Sequence, residues 1–414
     1  MDYLTQGYED HYKSTDGKIL IFIFCCTAIA EFFNVTFFRL KLSFSTYVSL
    51  AFILLGLWLI IKLALKDKDN EITVDCRNWL LLLVGWNIVT IIRGAFYANN
   101  YWDWKILIFT NAPALLIPSI AFLGYKLYAI KDLLDFIRKW YFIVAFLLLI
   151  IVGLPSKIIY LWTLYFFILV YKYLPIRKRL FIIILIAFLV PADLMARSNL
   201  IRVSVAVALS LSFWWIGRHQ RMISAIQKVL SVLPFVLVFL ALSGTFNIFD
   251  MKSYLGSGLE VENTVGEKEN LAVDTRTFLY EECLSSMEKK GTFLFGEGGC
   301  GKYYTKAFKN ALFGANRYAS EVGALNTLLY SGIIGLLLYW IIFFYASYKA
   351  INDSDNILSR MLGLFIIFRW DYFFVEEFTN FNTNYFFLWL MIGMCLTPQF
   401  RYMTDEDICD WIEG

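Results

Sequence analysis

Histidine is almost missing from this chain. Its 414 residues hold two, His11 and His219, and the distribution of loop charges predicts that both lie on the cytoplasmic side of a membrane. Chemistry on the opposite face that needs a histidine base, a Ser/His/Asp set or an imidazole-ligated zinc is therefore excluded. The seven cysteines are scattered without metal-ligand spacing. Charge is scarce too: 17% of residues are charged, against about 25% in soluble domains. The net charge of +3 is too small to point to a nucleic-acid partner. Met1 to Gly17 is polar and mixed in charge, with neither the basic start nor the small-residue cleavage site of a signal peptide. The first apolar run is therefore expected to stay as a membrane helix. No internal repeat or low-complexity tract is visible.

What is present is apolar: 59% hydrophobic and 19% aromatic residues, with a mean hydropathy of +0.61. The excess sits in blocks, which predicts an all-α polytopic integral membrane protein. About twelve runs are long enough to cross a bilayer. They lie near 18–38, 42–65, 77–96, 105–124, 139–153, 157–174, 180–195, 199–216, 223–242, 322–348, 360–375 and 381–397. Lysine and arginine cluster at 62–68, 126–139, 172–179 and 218–228. With twelve helices these loops share one side, which the positive-inside rule makes cytoplasmic, together with both termini. The chain then divides into nine helices over 1–242, a large extracytoplasmic loop at 243–321, and three helices with a cytoplasmic tail over 322–414.

That loop is the one long polar segment. Ser243 to Asn270 is Gly/Ser-rich and acidic. A helix is expected over Thr275–Lys290, with Asp274 as N-cap and Gly291 as its C′ residue. Its apolar stripe is Phe278, Leu279, Cys283 and Met287. A glycine run follows, Gly296-Glu-Gly-Gly-Cys-Gly-Lys302, which matches most of a P-loop. The magnesium-binding Ser/Thr is replaced by Tyr303. The run reads as a tight turn, as a nest of N–H groups near a phosphate or sugar, or, least favoured, as a nucleotide site. Cys283 and Cys300 either bridge on an oxidising face or remain two buried thiols.

Several arginines sit at helix starts, the wrong end of the dipole for a cation. Arg197 and Arg202 flank the start of the eighth run and Arg276 opens the loop helix. A bound anion resolves the conflict, because helix N–H groups and guanidinium forks both match phosphate oxygens. The bland alternative is snorkelling to headgroups for Arg197 and Arg202, and pairing with Asp274 for Arg276. Arg317 and Glu321 precede the tenth run, where Glu321 suits the helix dipole or, held by Arg317, acts as a general base. Arg93, Arg369, Asp371, Glu376 and Glu377 are weaker candidates, and Arg369 with Asp371 reads equally as paired charges.

The stretches MARSNLIR, DTRTFLYEECL, FLFGEGGCGKYY and SEVGALNTLLYSGIIGLLLYW, with a large late loop, give the chain a resemblance to the bacterial O-antigen polymerase (Wzy-type) and O-antigen ligase group. It covers mainly residues 180–348. It implies a fold like that of lipid-dependent membrane glycosyltransferases. It also implies action on undecaprenyl-diphosphate-linked oligosaccharide donors and acceptors at the periplasmic face of the bacterial inner membrane, without cofactor or metal. Arg197, Arg202, Arg276 and Arg317 would hold the diphosphate. Arg276 and Glu321 would be catalytic, and Tyr303 and Tyr304 would contact glycan. Membrane lipid and a chain-length regulator are the implied partners. The ligase branch carries a histidine before the helix that follows the loop, whereas this chain reads Ser320-Glu321-Val322. The expectation is therefore a polymerase of O-antigen, capsule or exopolysaccharide repeats, with a ligase or a flippase as alternatives. Transporters tend to show repeats and ionisable groups at the bilayer midplane, which this chain lacks.

Overall fold

The described apolar runs fold as helices, and about 83% of the described residues are helical. The computed structural model describes residues 10–40, 44–66, 74–141, 143, 164–189, 197–243, 260–262, 268–270, 277–306, 315–375 and 379–413. Ahead of the polar segment come α1 (Asp10–Leu40), α2 (Ser45–Lys66), α3 (Val74–Tyr97), the helical span α4 (Tyr101–Leu123), α5 (Leu127–Phe136), α6 (Leu164–Leu169), α7 (Ile176–Leu189), α8 (Arg197–Leu211), α9 (Phe213–Arg218) and α10 (Gln220–Leu242). The polar segment contributes α11 (Thr277–Lys290). After it come α12 (Gly323–Asn352), α13 (Ile357–Phe373), α14 (Thr383–Leu396) and the amphipathic α15 (Asp405–Glu413). Among the described residues, strand is confined to two antiparallel ladders. Glu260–Glu262 pairs with Lys268–Asn270, and Tyr303–Tyr304 pairs with Asn316–Arg317.

Five of the described helices are long and apolar enough to cross a bilayer: Ser45–Leu65, Cys76–Tyr97, Tyr101–Leu123, Gln220–Ala241 and Gly323–Asn352. The expectation of about twelve spans is thus met in part. The runs at 139–153 and 157–174 fall mostly outside the described residues, and the run at 199–216 is broken at Ser212 between α8 and α9. α14 has 14 residues, or about 21 Å, less than the roughly 30 Å of a hydrocarbon core. Every residue of α14 is buried, so neighbouring helices shield it from lipid.

α14 is the centre of the bundle, ringed by α1, α4, α12 and α13. Its closest neighbour is the end of α4, where a Cβ on Gly124 would overlap the Gly393 backbone. Small residues at such a crossing let two backbones touch. Pro113 and Pro118 lack the N–H that an α-ladder needs, and α4 passes through π and 3-10 turns around them. Aromatic rings fill the rest, with Phe235, Tyr339, Phe343, Trp370, Phe373, Phe374 and Trp389 in mutual contact.

α12 is 30 residues long with a non-helical break at Gly332, and two groups of loops gather at its opposite ends. At the far end, Arg401 bonds the Asp353 carboxylate, Tyr173 donates to Asp405, and Arg138 donates to the Ile412 carbonyl. At the near end, Arg93, Asp103 and Asn111 meet the segment from Thr292 to Tyr318. Tyr47, Tyr97, Tyr101 and Trp104 stand exposed around the near end, and Trp140, Trp214 and Trp215 around the far end. Such paired aromatic rings mark the two interfaces of a membrane-embedded bundle.

Candidate functional site

The loop helix forms where its stripe predicts. Leu279, Cys283 and Met287 are buried and Phe278 packs beside them. Lys289 and Lys290 occupy the last turn. Gly291, at φ 64°, closes the helix in a Schellman motif: its N–H reaches the Glu288 carbonyl, and that of Thr292 reaches Met287. The first turns dock on the end of α13, where the Tyr280 hydroxyl donates to the Phe374 carbonyl at 2.5 Å. Asp274, Thr275 and Arg276 lie outside the described residues.

The glycine run is seated between α3, α4 and a break in α12. At Gly332 the α12 backbone turns to φ 70°, ψ −171°, and the freed carbonyls of Leu329 and Tyr330 accept the N–H groups of Glu297 and Gly298. Gly299 donates to the Thr90 carbonyl and accepts from Asn111. Arg93 donates to the Phe295 and Gly296 carbonyls at 2.5 and 2.7 Å. The N–H groups of Gly296, Gly301 and Lys302 go to Thr292, Gly298 and the Glu297 carboxylate. This corrects the nest reading, because six of the run's N–H groups, those of residues 296–299, 301 and 302, are committed to the protein's own acceptors and do not converge on a free point. The glycines instead permit close approach: a Cβ on Gly94 would stand 2.6 Å from the Gly299 nitrogen. Arg93, a weaker ligand candidate by sequence, is part of this seat.

Lys302 ends the run in a latch that the sequence reading missed. Asp103, 1% exposed, accepts the Asn99 N–H, the Tyr318 hydroxyl at 2.6 Å and the Lys302 ammonium at 2.5 Å. The ammonium also lies 4.9 Å from the Tyr318 ring centre. Burial and then the Asp103 carboxylate push the Tyr318 hydroxyl upward. Lys290 grips both Glu297 oxygens at 2.9 Å and the Lys302 carbonyl at 2.6 Å. The signal available in the sequence was Asn100 followed by Asp103, a cap with an acid in the first turn, entering an apolar run.

Cys283 and Cys300 are separate thiols, and Cys300 donates to the Gly94 carbonyl. Burial pushes Cys283 up to about 12 and raises Cys300 as well, so neither is a nucleophile at neutral pH.

The remaining candidates fall into two neighbourhoods. Beside the Tyr303–Arg317 ladder, Arg317 stands 3.6 Å from Glu321, whose side chain is 59% exposed. Tyr303 is fully buried and offers no ring face to a ligand, whereas Tyr304 is 49% exposed. Burial pushes the Tyr303 hydroxyl up to about 12, with the Arg317 charge opposing.

The second neighbourhood lies between α8, α13 and α14. Arg202 is 3% exposed, and its guanidinium sits 5.1 Å from the Tyr372 ring centre. Arg369, one turn before Tyr372, is 1% exposed; it donates to Asn384 at 2.9 Å and lies over the Tyr385 ring. This replaces a direct Arg369–Asp371 pair, since residues two apart on a helix point to different sides. The Asp371 Oδ1 atom is buried and has no hydrogen-bond partner among the described residues. Arg197 starts α8, and Glu376 and Glu377 lie outside the described residues. None of the described residues form a cluster that could hold a metal ion.

No family model, curated protein or solved structure matches the chain.

Proposed function

We propose that the protein is a polysaccharide polymerase that joins undecaprenyl-diphosphate-linked oligosaccharide repeats at the periplasmic face of a bacterial inner membrane. The observation that carries this reading is the pair of buried guanidiniums, Arg202 and Arg369, at the loop-bearing end of an apolar helix bundle. A cation buried in a membrane protein is costly and is retained for a purpose. Guanidiniums match phosphate oxygens in fork geometry. A lipid diphosphate offers that anion at the depth where an arginine in the first turns of a membrane helix can meet it.

In the proposed reaction an acceptor sugar hydroxyl attacks the anomeric carbon of the donor glycan. The C–O bond to undecaprenyl diphosphate breaks, and the diphosphate leaves with the electron pair. Arg202 neutralises the departing charge, together with Arg197 and Arg276. Glu321, exposed and held near Arg317, takes the hydroxyl proton. Tyr304 is the exposed ring available to a sugar. The tilt of basic residues toward the far end (Arg138, Lys139, Arg177, Arg218 and Arg221) supports a cytoplasmic assignment for that end.

The test is the length of the surface glycan. Arg202→Ala should abolish long chains and leave single repeats on the lipid core, while the protein still accumulates in the membrane. Arg202→Lys should restore part of the ladder. A wild-type ladder from Arg202→Ala would sink the phosphate assignment. Loss of single repeats as well would point to a flippase or a ligase.

A further inference from the structure

The turn that leads into the glycine run carries an exposed apolar pair. Leu294 is 52% exposed and Phe295 50%. Their position along the bundle is fixed by three contacts. The Phe295 ring lies 6.1 Å from Trp86 and 6.0 Å from the Arg93 guanidinium, and the Ile333 and Ile334 N–H groups donate to the Phe293 and Leu294 carbonyls. Tyr97 ends α3 at the near aromatic ring. Arg93 and Trp86 precede it by four and eleven residues, about 6 and about 16 Å along the axis. The turn therefore sits well below that ring, level with the apolar part of two bilayer-length helices. Val89 on α3, one turn from both Trp86 and Arg93, and Ile333 and Leu337 on α12 are exposed too.

We propose that residues Thr292–Gly296 form a re-entrant wedge whose Leu294 and Phe295 side chains contact bilayer acyl chains. Two independent observations fit that occupant. Non-helical backbone survives at membrane depth only when its polar groups are satisfied inside the protein. All five carbonyls of this turn are taken up: Thr292 accepts from the Gly296 N–H, Phe293 and Leu294 from the Ile333 and Ile334 N–H groups of α12, and Phe295 and Gly296 from Arg93, while the Thr292 N–H reaches the Met287 carbonyl. Second, the apolar pair continues the exposed apolar stripes of α3 and α12 and is not isolated on a polar surface. Lys302, by contrast, leaves the wedge at the level of Asp103, next to Tyr101 and Trp104, as a charged group at the interface should. The Gly332 break in α12 makes room for the wedge.

The test compares cysteine reactivity in native membranes. Leu294→Cys, Phe295→Cys and Tyr304→Cys are each treated with a membrane-impermeant maleimide in spheroplasts and in inverted vesicles, with the unsubstituted protein as background. In whichever preparation labels Tyr304→Cys, both wedge variants should label at least ten-fold more slowly, and all three should label equally after detergent denaturation. A nitroxide placed at Leu294→Cys should collide with lipid-dissolved oxygen and be shielded from a water-soluble nickel chelate. Wedge cysteines that label as fast as Tyr304→Cys would overturn the proposal, as would a nitroxide shielded from both reagents, which signals a covering protein surface. Because the comparison is made within one preparation, it holds whichever side of the membrane the loop occupies, and so stands apart from the polymerase reading.

Discussion

At the scale of single residues, Asp103 holds the loop most directly. It accepts three donors from three stretches of chain while 1% exposed. Asp103→Asn removes the charge that Lys302 faces and weakens the acceptor for Tyr318. The carboxylate is buried but Lys302 is 28% exposed, so the loss is that of a partly buried charged hydrogen-bond set, about 1–3 kcal/mol. The expected result is a clearly lower melting temperature in detergent and faster proteolysis within 291–306, with the helices still formed by circular dichroism. Asp353 gives a pH signature. Burial raises its carboxyl, but the Tyr402 hydroxyl and the Lys349 and Arg401 charges outweigh this and hold it below its ordinary value near 3.8. A carboxyl lowered in the folded state stabilises above the unfolded value, and that contribution is lost as pH falls through the folded one. Asp353→Asn should therefore lower the melting temperature at pH 7 and flatten its decline on the acid side of pH 4, measured by a thermal scan against pH. An unchanged acid limb would remove Asp353 from the account.

Elements show what the sequence makes legible. The loop helix was readable over its described length, because stripe, basic last turn and C′ glycine all depend on neighbours within a few residues. Of the three readings of the glycine run, the tight turn fits and the convergence of donors does not. The run is a place where backbones touch, and its partners Thr90, Asn111, Leu329 and Tyr330 are remote in sequence. The break at Gly332 was hidden for the same reason: a glycine within an apolar run looks like any small residue until the Leu294 carbonyl is found against it. Gly332→Ala must hold a Cβ at φ 70° and clear that carbonyl. With ψ at −171° this backbone is open essentially to glycine alone, and holding alanine there costs about 1–3 kcal/mol. The variant should loosen the loop seat and lower the melting temperature by more than a neighbouring change such as Ile333→Ala. A neutral Gly332→Ala would contradict the break.

For the whole molecule, composition was enough to predict a helical membrane bundle, and five spans of bridging length follow from the described residues. Short helices were harder to read. α14 passes as a crossing helix by hydropathy, yet its length works only because others enclose it. Likewise, Arg202 and Arg369 were legible as charges in apolar surroundings, but their shared neighbourhood depends on how α8, α13 and α14 pack. The two-ended arrangement predicts that Arg177→Cys and Tyr304→Cys, both exposed, react with an impermeant reagent from opposite sides of the membrane. Labelling of both from the same side would reject it. The enclosure of α14 has a further consequence for biogenesis. The most enclosed helix leaves the ribosome after almost everything that surrounds it, so the earlier helices must wait in the bilayer as an open ring. A nascent chain halted before Thr383 should then present an incompletely packed intermediate, its aromatic lining open to lipid, that membrane quality-control proteases can recognise.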